Sequence, residues 1–241
     1  MEWSWPDFFT YIHSIDILRG AWTTVWLTAV SMSAGIVLGL FSALLLRLNL
    51  PVTTALYSVY TTVIRGTPLL VQLVFAYTAL PRFGIRLTVA ESAILALSVN
   101  EGAYVAEIMR AAIDSVHRGQ MEAATALGMT YWKAMRVVIL PQAARTAAPA
   151  IGNQVNSMLK ATSLVSVISM EELFRTTQEL IQSSFRVLEL FTVASIYYLV
   201  LTTVWSFIQR GLEGWLEYPP GRSRRDRLAT ATNDLATIAD G

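Results

Sequence analysis

The sequence predicts an all-α integral membrane protein with about five transmembrane helices, its N-terminus outside and its C-terminus inside. Three observations carry this expectation. Charged residues make up 15% of the 241-residue chain against 54% hydrophobic ones, and mean hydropathy is +0.48. A soluble domain carries about 25% charged residues, so much of this chain lacks groups with which to face water. The apolar residues are also gathered into runs of bilayer length, and the basic residues fall unevenly among the connections between them.

The elements follow in order. Residues 1–20 read MEWSWPDFFTYIHSIDILRG, an extracytoplasmic flank with no basic n-region and therefore not a secretory signal peptide. Tryptophans 3, 5, 22 and 26 suit the interfacial belt where the first span begins. Between Arg19 and Arg47 no side chain is charged, and about 20 apolar residues suffice to cross the hydrocarbon core as a helix. From Leu50 to Pro81 only Arg65 interrupts. The segment from about Leu87 to Ile108 is the least apolar, because it holds Glu91, Glu101 and Glu107. From Thr146 to Met170 only Lys160 interrupts, and Leu190 to Ile208 is charge-free. These spans form one membrane domain over 21–215. Residues 216–241 form a polar tail whose basic cluster follows Pro219-Pro220, as expected of a cytoplasmic flank beside anionic lipid.

Orientation follows from the cations, which cytoplasmic flanks retain. With the N-terminus outside, the inner segments 47–54, 110–145 and the tail from 209 hold eleven Lys and Arg, and the outer segments hold five.

Several function classes fall away. There is no cysteine, so neither a disulfide framework nor a thiolate metal site can form. His13 and His117 are too far apart in the chain to make a metal site or dyad credible. A net charge of +1 gives no reason to expect nucleic acid. A polytopic membrane enzyme would need a nucleophile with its base or a carboxylate pair. Glu101 and Glu107, six residues apart, point to different helix faces, and Ser163 has no histidine near it in the sequence. Glu107 and Arg110, by contrast, are spaced as an i, i+3 ion pair.

The inner connection over 115–150 is too regular for a loop. Met121 to Leu127 is rich in helix formers, and Gly128 supplies the positive φ that ends a helix. Thr130 offers an N-cap for a second stretch through Val138, which Pro141 is expected to stop. Ala123, Ala124 and Ala126 have so little side chain that the first helix can lie close against another protein.

Glu122-Ala123-Ala124, then Gly128, then Ile139-Leu140-Pro141 resembles the EAA signature of ABC importer permeases. RGTPLLVQ (65–72), AYVAEIMRAAIDSV (103–116), GQMEAATALG (119–128) and LKATSLVSVI (159–168) resemble the polar amino acid uptake subfamily of these importers. The resemblance covers roughly residues 20–215 with its motifs in order. It implies a permease domain in the bacterial cytoplasmic (inner) membrane, with the segment at about 115–145 as a cytoplasmic coupling helix. There Glu122, Ala123, Ala124 and Gly128 would form the joint with a cytoplasmic ATPase. The implied partners are two ABC ATPase subunits, a second permease subunit (identical or homologous) and an extracytoplasmic solute-binding protein. The chain has no G-x-x-x-x-G-K-[ST] loop, so ATP and magnesium are expected on the ATPase and no cofactor on this chain, which is not itself an enzyme. An amino-acid-like cargo such as an opine or ectoine is the alternative within the same class.

Ionisable groups inside spans are costly and mark candidate sites. A zwitterionic amino acid presents a carboxylate and an ammonium, each seeking an opposite charge in a low-dielectric cavity. Arg65 or Lys160 is expected to meet the carboxylate and Glu101 the ammonium or a cationic side chain. Gln72, Asn100, Tyr104, Thr162 and Ser163 would supply neutral hydrogen bonds. Two structural alternatives stand beside this: Glu101 pairing with Lys160, and Arg65 binding carbonyls freed at the Gly66–Pro68 break.

Overall fold

A computed structural model describes residues 3–216. Among the described residues the regular structure is entirely helical: α1 (Trp5–Ile12), α2 (Ile15–Leu46), α3 (Pro51–Gly66), α4 (Leu69–Thr78), α5 (Val89–Ser115), α6 (Arg118–Ala126), α7 (Tyr131–Ala134), α8 (Leu140–Ala161), α9 (Leu173–Ser184) and α10 (Val187–Leu216). The expected tail lies outside the described residues except for Leu216, which ends α10.

Two helices, α2 and α10, are by themselves long and apolar enough to cross a membrane, and α3 with α4 qualifies as a third if that pair is one span. The pair is bent by 103°. Pro68 has no N–H and disfavours the helical region for Thr67, which is extended at φ −115°, ψ 146°. Helix α5 has 27 residues, yet its charges keep it from qualifying. Packing explains why it tolerates them: α5 touches α2, α3, α4 and α8, so few of its faces meet lipid.

Close approach fixes the direction of the helices. A Cβ on Gly35 would fall 2.9 Å from Glu101 Cβ, and one on Gly39 would fall 2.6 Å from Val105 Cβ. Both contacts advance together along the chain, so α2 and α5 run parallel, and α3 with α4 must return between them. Helix α8 runs the other way, since Met109 and Ile113 pack with Ile139 and Ala143 while Ala93 and Leu97 pack with Met158 and Val165. Trp205 Nε1 of α10 donates to Gly152 O of α8 at 2.8 Å. The starts of α2, α5 and α10 therefore share one end of the bundle with α1 and α9, and α6 lies at the other.

At the first end Glu172 joins three elements. It caps α9 by accepting from the N–H groups of Phe174 (3.0 Å) and Arg175 (2.7 Å), and also accepts from Tyr198 Oη (3.0 Å) and Thr24 Oγ1 (3.4 Å). Burial pushes its carboxyl above the ordinary carboxylate range even though these donors pull it down.

Pro141 does not stop the second inner helix. Met135–Ile139 forms a π-turn, in which Leu140 N–H donates to Met135 O five residues back, and α8 continues to Ala161. The wider turn absorbs one residue ahead of the proline, so its ring falls in the first turn of α8, where a missing N–H costs nothing.

Candidate functional site

The α6 segment shows how local chemistry shapes a surface. His117 stands at its N-cap, accepting Gly119 N–H at Nδ1 (3.1 Å). At the other end Gly128 has φ +77°, and Met129 N–H reaches back to Ala124 O at 3.1 Å. Beyond its own chain neighbours no atom lies within 4 Å of where a Gly128 Cβ would stand, so glycine is required for its backbone conformation and not for room. Thr130 takes the extended N-cap conformation of α7 but makes no side-chain capping bond.

The four residues expected at the joint divide. Glu122, Ala123 and Gly128 are exposed. Ala124 is only 4% exposed, because α6 rests on the π-turn and turns that position inward, so its small size serves packing within this chain. Beside the exposed three stands an apolar group that the sequence pattern did not single out: Leu127, 79% exposed, with Tyr131 and Trp132 in edge-to-face contact at 5.3 Å. Its signal was present, since a large apolar residue just before the helix-ending glycine has no packing role in the helix itself.

The polar groups at bilayer depth also divide. Gln72, not Arg65, serves the α3–α4 break: its Nε2 donates to Ile64 O (2.7 Å), Thr67 O (3.2 Å) and Thr67 Oγ1 (2.9 Å). Its Oε1 accepts from Asn100 Nδ2 at 3.0 Å. Arg65 is left to lie over the Tyr104 ring, 5.4 Å from the centroid, with Nη1 3.6 Å from the Glu107 carboxylate. Arg65, Gln72, Asn100 and Tyr104 thus come together where α3, α4 and α5 meet. Arg65 opens on a cavity of about 520 Å³ lined also by Tyr57, Thr61, Glu107 and Arg110.

Lys160 and Ser163 line a separate cavity of about 420 Å³ with Phe174, Phe191 and Tyr198. Thr162 and Glu101, expected to meet the substrate, are both buried in the chain as packed. Thr162 is fully buried and donates to Leu159 O at 2.9 Å, and Ser163 donates to Lys160 O at 2.7 Å, so both hydroxyls close the end of α8. Glu101 is 5% exposed, pressed against Gly35 of α2 and approached by Gln154 of α8, with Oε1 lacking a hydrogen-bond partner. No Glu101–Lys160 ion pair occurs among the described residues. The i, i+3 pair of Glu107 and Arg110 is present at 3.0 Å.

The chain is similar to known proteins along most of its length. Residues 35–218 match the family described as binding-protein-dependent transport system inner membrane component. The chain is 38% identical over 215 residues to the glutamine transport system permease protein GlnP of Escherichia coli, covering 88% of this chain and 97% of the relative. It is 39% identical over 199 residues to the L-cystine transport system permease protein TcyB of Bacillus subtilis, covering 82% and 85%. The fold also superposes with a TM-score of 0.81 on a chain of an amino acid ABC transporter crystallised with histidines, at 37% identity, covering 88% of this chain and 99% of that one.

Proposed function

This chain belongs to the inner membrane components of binding-protein-dependent transport systems, and we propose that it is the permease subunit of an ATP-driven importer of polar amino acids. The observation that carries the proposal is likeness along 88% of this chain to amino acid transporter proteins that it covers to 97% and 99%. The protein resides in the inner membrane, and its partners include an ATPase and an extracytoplasmic binding protein.

We assign five spans: α2, the bent pair α3–α4, α5, α8 and α10. The excess of cations on the α6 side supports a cytoplasmic α6 end, with the start of α2 outside. Two permease subunits would enclose the pathway above two ATPases that carry ATP and magnesium. The binding protein would dock on the outer segments 81–88 and 171–188. ATP-driven closure of the ATPases would move α6, whose exposed Glu122, Ala123, Leu127 and Gly128 form the joint, and the cavity would change the side it faces.

For the substrate we assign the carboxylate to Arg65, which is half-exposed and has donors to spare, with Tyr104 and Asn100 beside it. Glu101, buried on the same helix between α2 and α8, acts through its field, favouring a cationic ammonium group without touching it. Lys160 and Ser163 would form a second polar station nearer α9 and α10.

Radiolabelled uptake into proteoliposomes tests the whole, with the co-purified ATPase, candidate binding proteins outside and ATP inside. ATP-dependent accumulation of a polar amino acid is expected, and Glu101→Gln should weaken the preference for cationic over neutral substrates. If no amino acid accumulates with any binding protein, the function fails. If Glu101→Gln transports every substrate as the parent does, only the role of Glu101 fails.

A further inference from the structure

The cavity below Arg65 holds two guanidiniums and one carboxylate, so it is already an anion site with an anion built in. We propose that Glu107 is an internal competitor for the transported amino acid: in the resting chain its carboxylate holds Arg65 in the place that the substrate carboxylate takes during passage. This rests on the assignment of Arg65 to the substrate carboxylate.

The geometry of Glu107 is uneven in a way that suits exchange. Its Oε1 accepts from Tyr57 Oη at 2.6 Å, and its Oε2 accepts from Arg110 Nη2 at 3.0 Å. Arg110 is steadied in turn by Asp114 at 3.4 Å, and Asp114 by Arg47 at 2.8 Å. Glu107 is therefore held firmly from the side of α6. Its contact with Arg65, at 3.6 Å, is longer than the 2.7–2.9 Å typical of a charge-assisted hydrogen bond. Arg65 itself is 42% exposed and rests on the face of Tyr104, which orients the guanidinium without using its N–H groups. A carboxylate arriving beside Tyr104 meets an arginine that is aimed and only loosely held.

The place of Glu107 gives the exchange a direction. It lies in α5 between Tyr104 and the α6 end of the bundle, so Arg65 returning to Glu107 moves away from the substrate. Release then needs no water to solvate a bare guanidinium, because a carboxylate of the chain takes over as the substrate leaves. The same competition sets a carboxylate apart from its neutral amide, since only the charged group can displace Glu107.

The test is equilibrium binding of a radiolabelled amino acid that the importer carries to the intact permease–ATPase complex without binding protein, so that affinity belongs to the membrane site. Arg65→Gln should weaken binding. Glu107→Gln should tighten it by about threefold, the scale of one half-exposed ion pair removed from competition. Binding-protein-driven turnover should fall in parallel, and binding of the carboxamide analogue should not change. Tyr57→Phe, which frees Glu107 to close on Arg65, should weaken binding, opposite in sign. If Arg65→Gln leaves binding unchanged, the substrate assignment is wrong. If Arg65→Gln weakens binding but Glu107→Gln and Tyr57→Phe shift it in the same direction or not at all, Glu107 is only a structural ion-pair partner. Should Glu107→Gln fail to assemble, the sign of the Tyr57→Phe effect decides.

Discussion

Replacing Leu127 by alanine separates the proposed coupling surface from the fold that carries it. Leu127 is 79% exposed at the end of α6, so the chain's own folding gains almost nothing from its side chain. A surface substitution of this kind changes stability by no more than about 0.5 kcal/mol. Nearly all of the side chain is still available to a partner, and full burial of a leucine is worth about 1.5–3 kcal/mol, or about ten- to a hundredfold in association. Leu127→Ala should therefore leave the melting temperature of the isolated subunit in detergent unchanged and weaken retention of the ATPase by that factor. Titration of the purified ATPase against immobilised permease measures it, with ATPase stimulation by the binding protein as the functional readout. Ala124→Leu is the counterpart: Ala124 is buried on the π-turn, so a larger residue should lower the subunit's own stability. Unchanged ATPase affinity in Leu127→Ala would refute the assignment of this face, and so would a large loss of subunit stability.

Further expectations rest on the packing. Gly39→Ala should destabilise the subunit by about 1–3 kcal/mol, because its Cβ would lie 2.6 Å from Val105 and 2.8 Å from the Ala106 backbone nitrogen and would force the helices apart. Thermal unfolding in detergent would show it, and Gly152→Ala should cost less, since the obstacle there is the flexible Gln209 side chain. Glu172→Ala should leave buried donors on α2, α9 and α10 unpaired at about 1–3 kcal/mol each, while Glu172→Gln keeps an acceptor and loses less. Because burial raises the Glu172 carboxyl in the folded state, its contribution is full below the unfolded pKa near 4.5 and is lost as pH rises through the folded value. A melting curve across pH should lose that slope in Glu172→Gln.

The sequence by itself determined the solvent of this protein and the turn that ends α6. Runs of uncharged residues at bilayer length, the asymmetry of Arg and Lys, and Gly128 after a run of helix formers are local facts, written in consecutive residues. The i, i+3 spacing of Glu107 and Arg110 was legible for the same reason. What the tertiary structure decided depends on which helix lies beside which. Arg65 and Lys160 look alike as single cations in apolar runs, yet one faces Glu107 and Tyr104 across α5 and the other lines a cavity beside α9 and α10. Glu101 reads as a charge in a span that needs a substrate or Lys160 as partner, but the missing side chains of Gly35 and Gly102 let α2 and α5 close around it. Pro141 reads as a helix stop, but a π-turn absorbs it once Met135 and Ile139 are buried against α5. In each case a single sequence gives the residue its charge or its backbone limits, and only packing chooses its partner, because helix contacts join positions that are far apart in the chain.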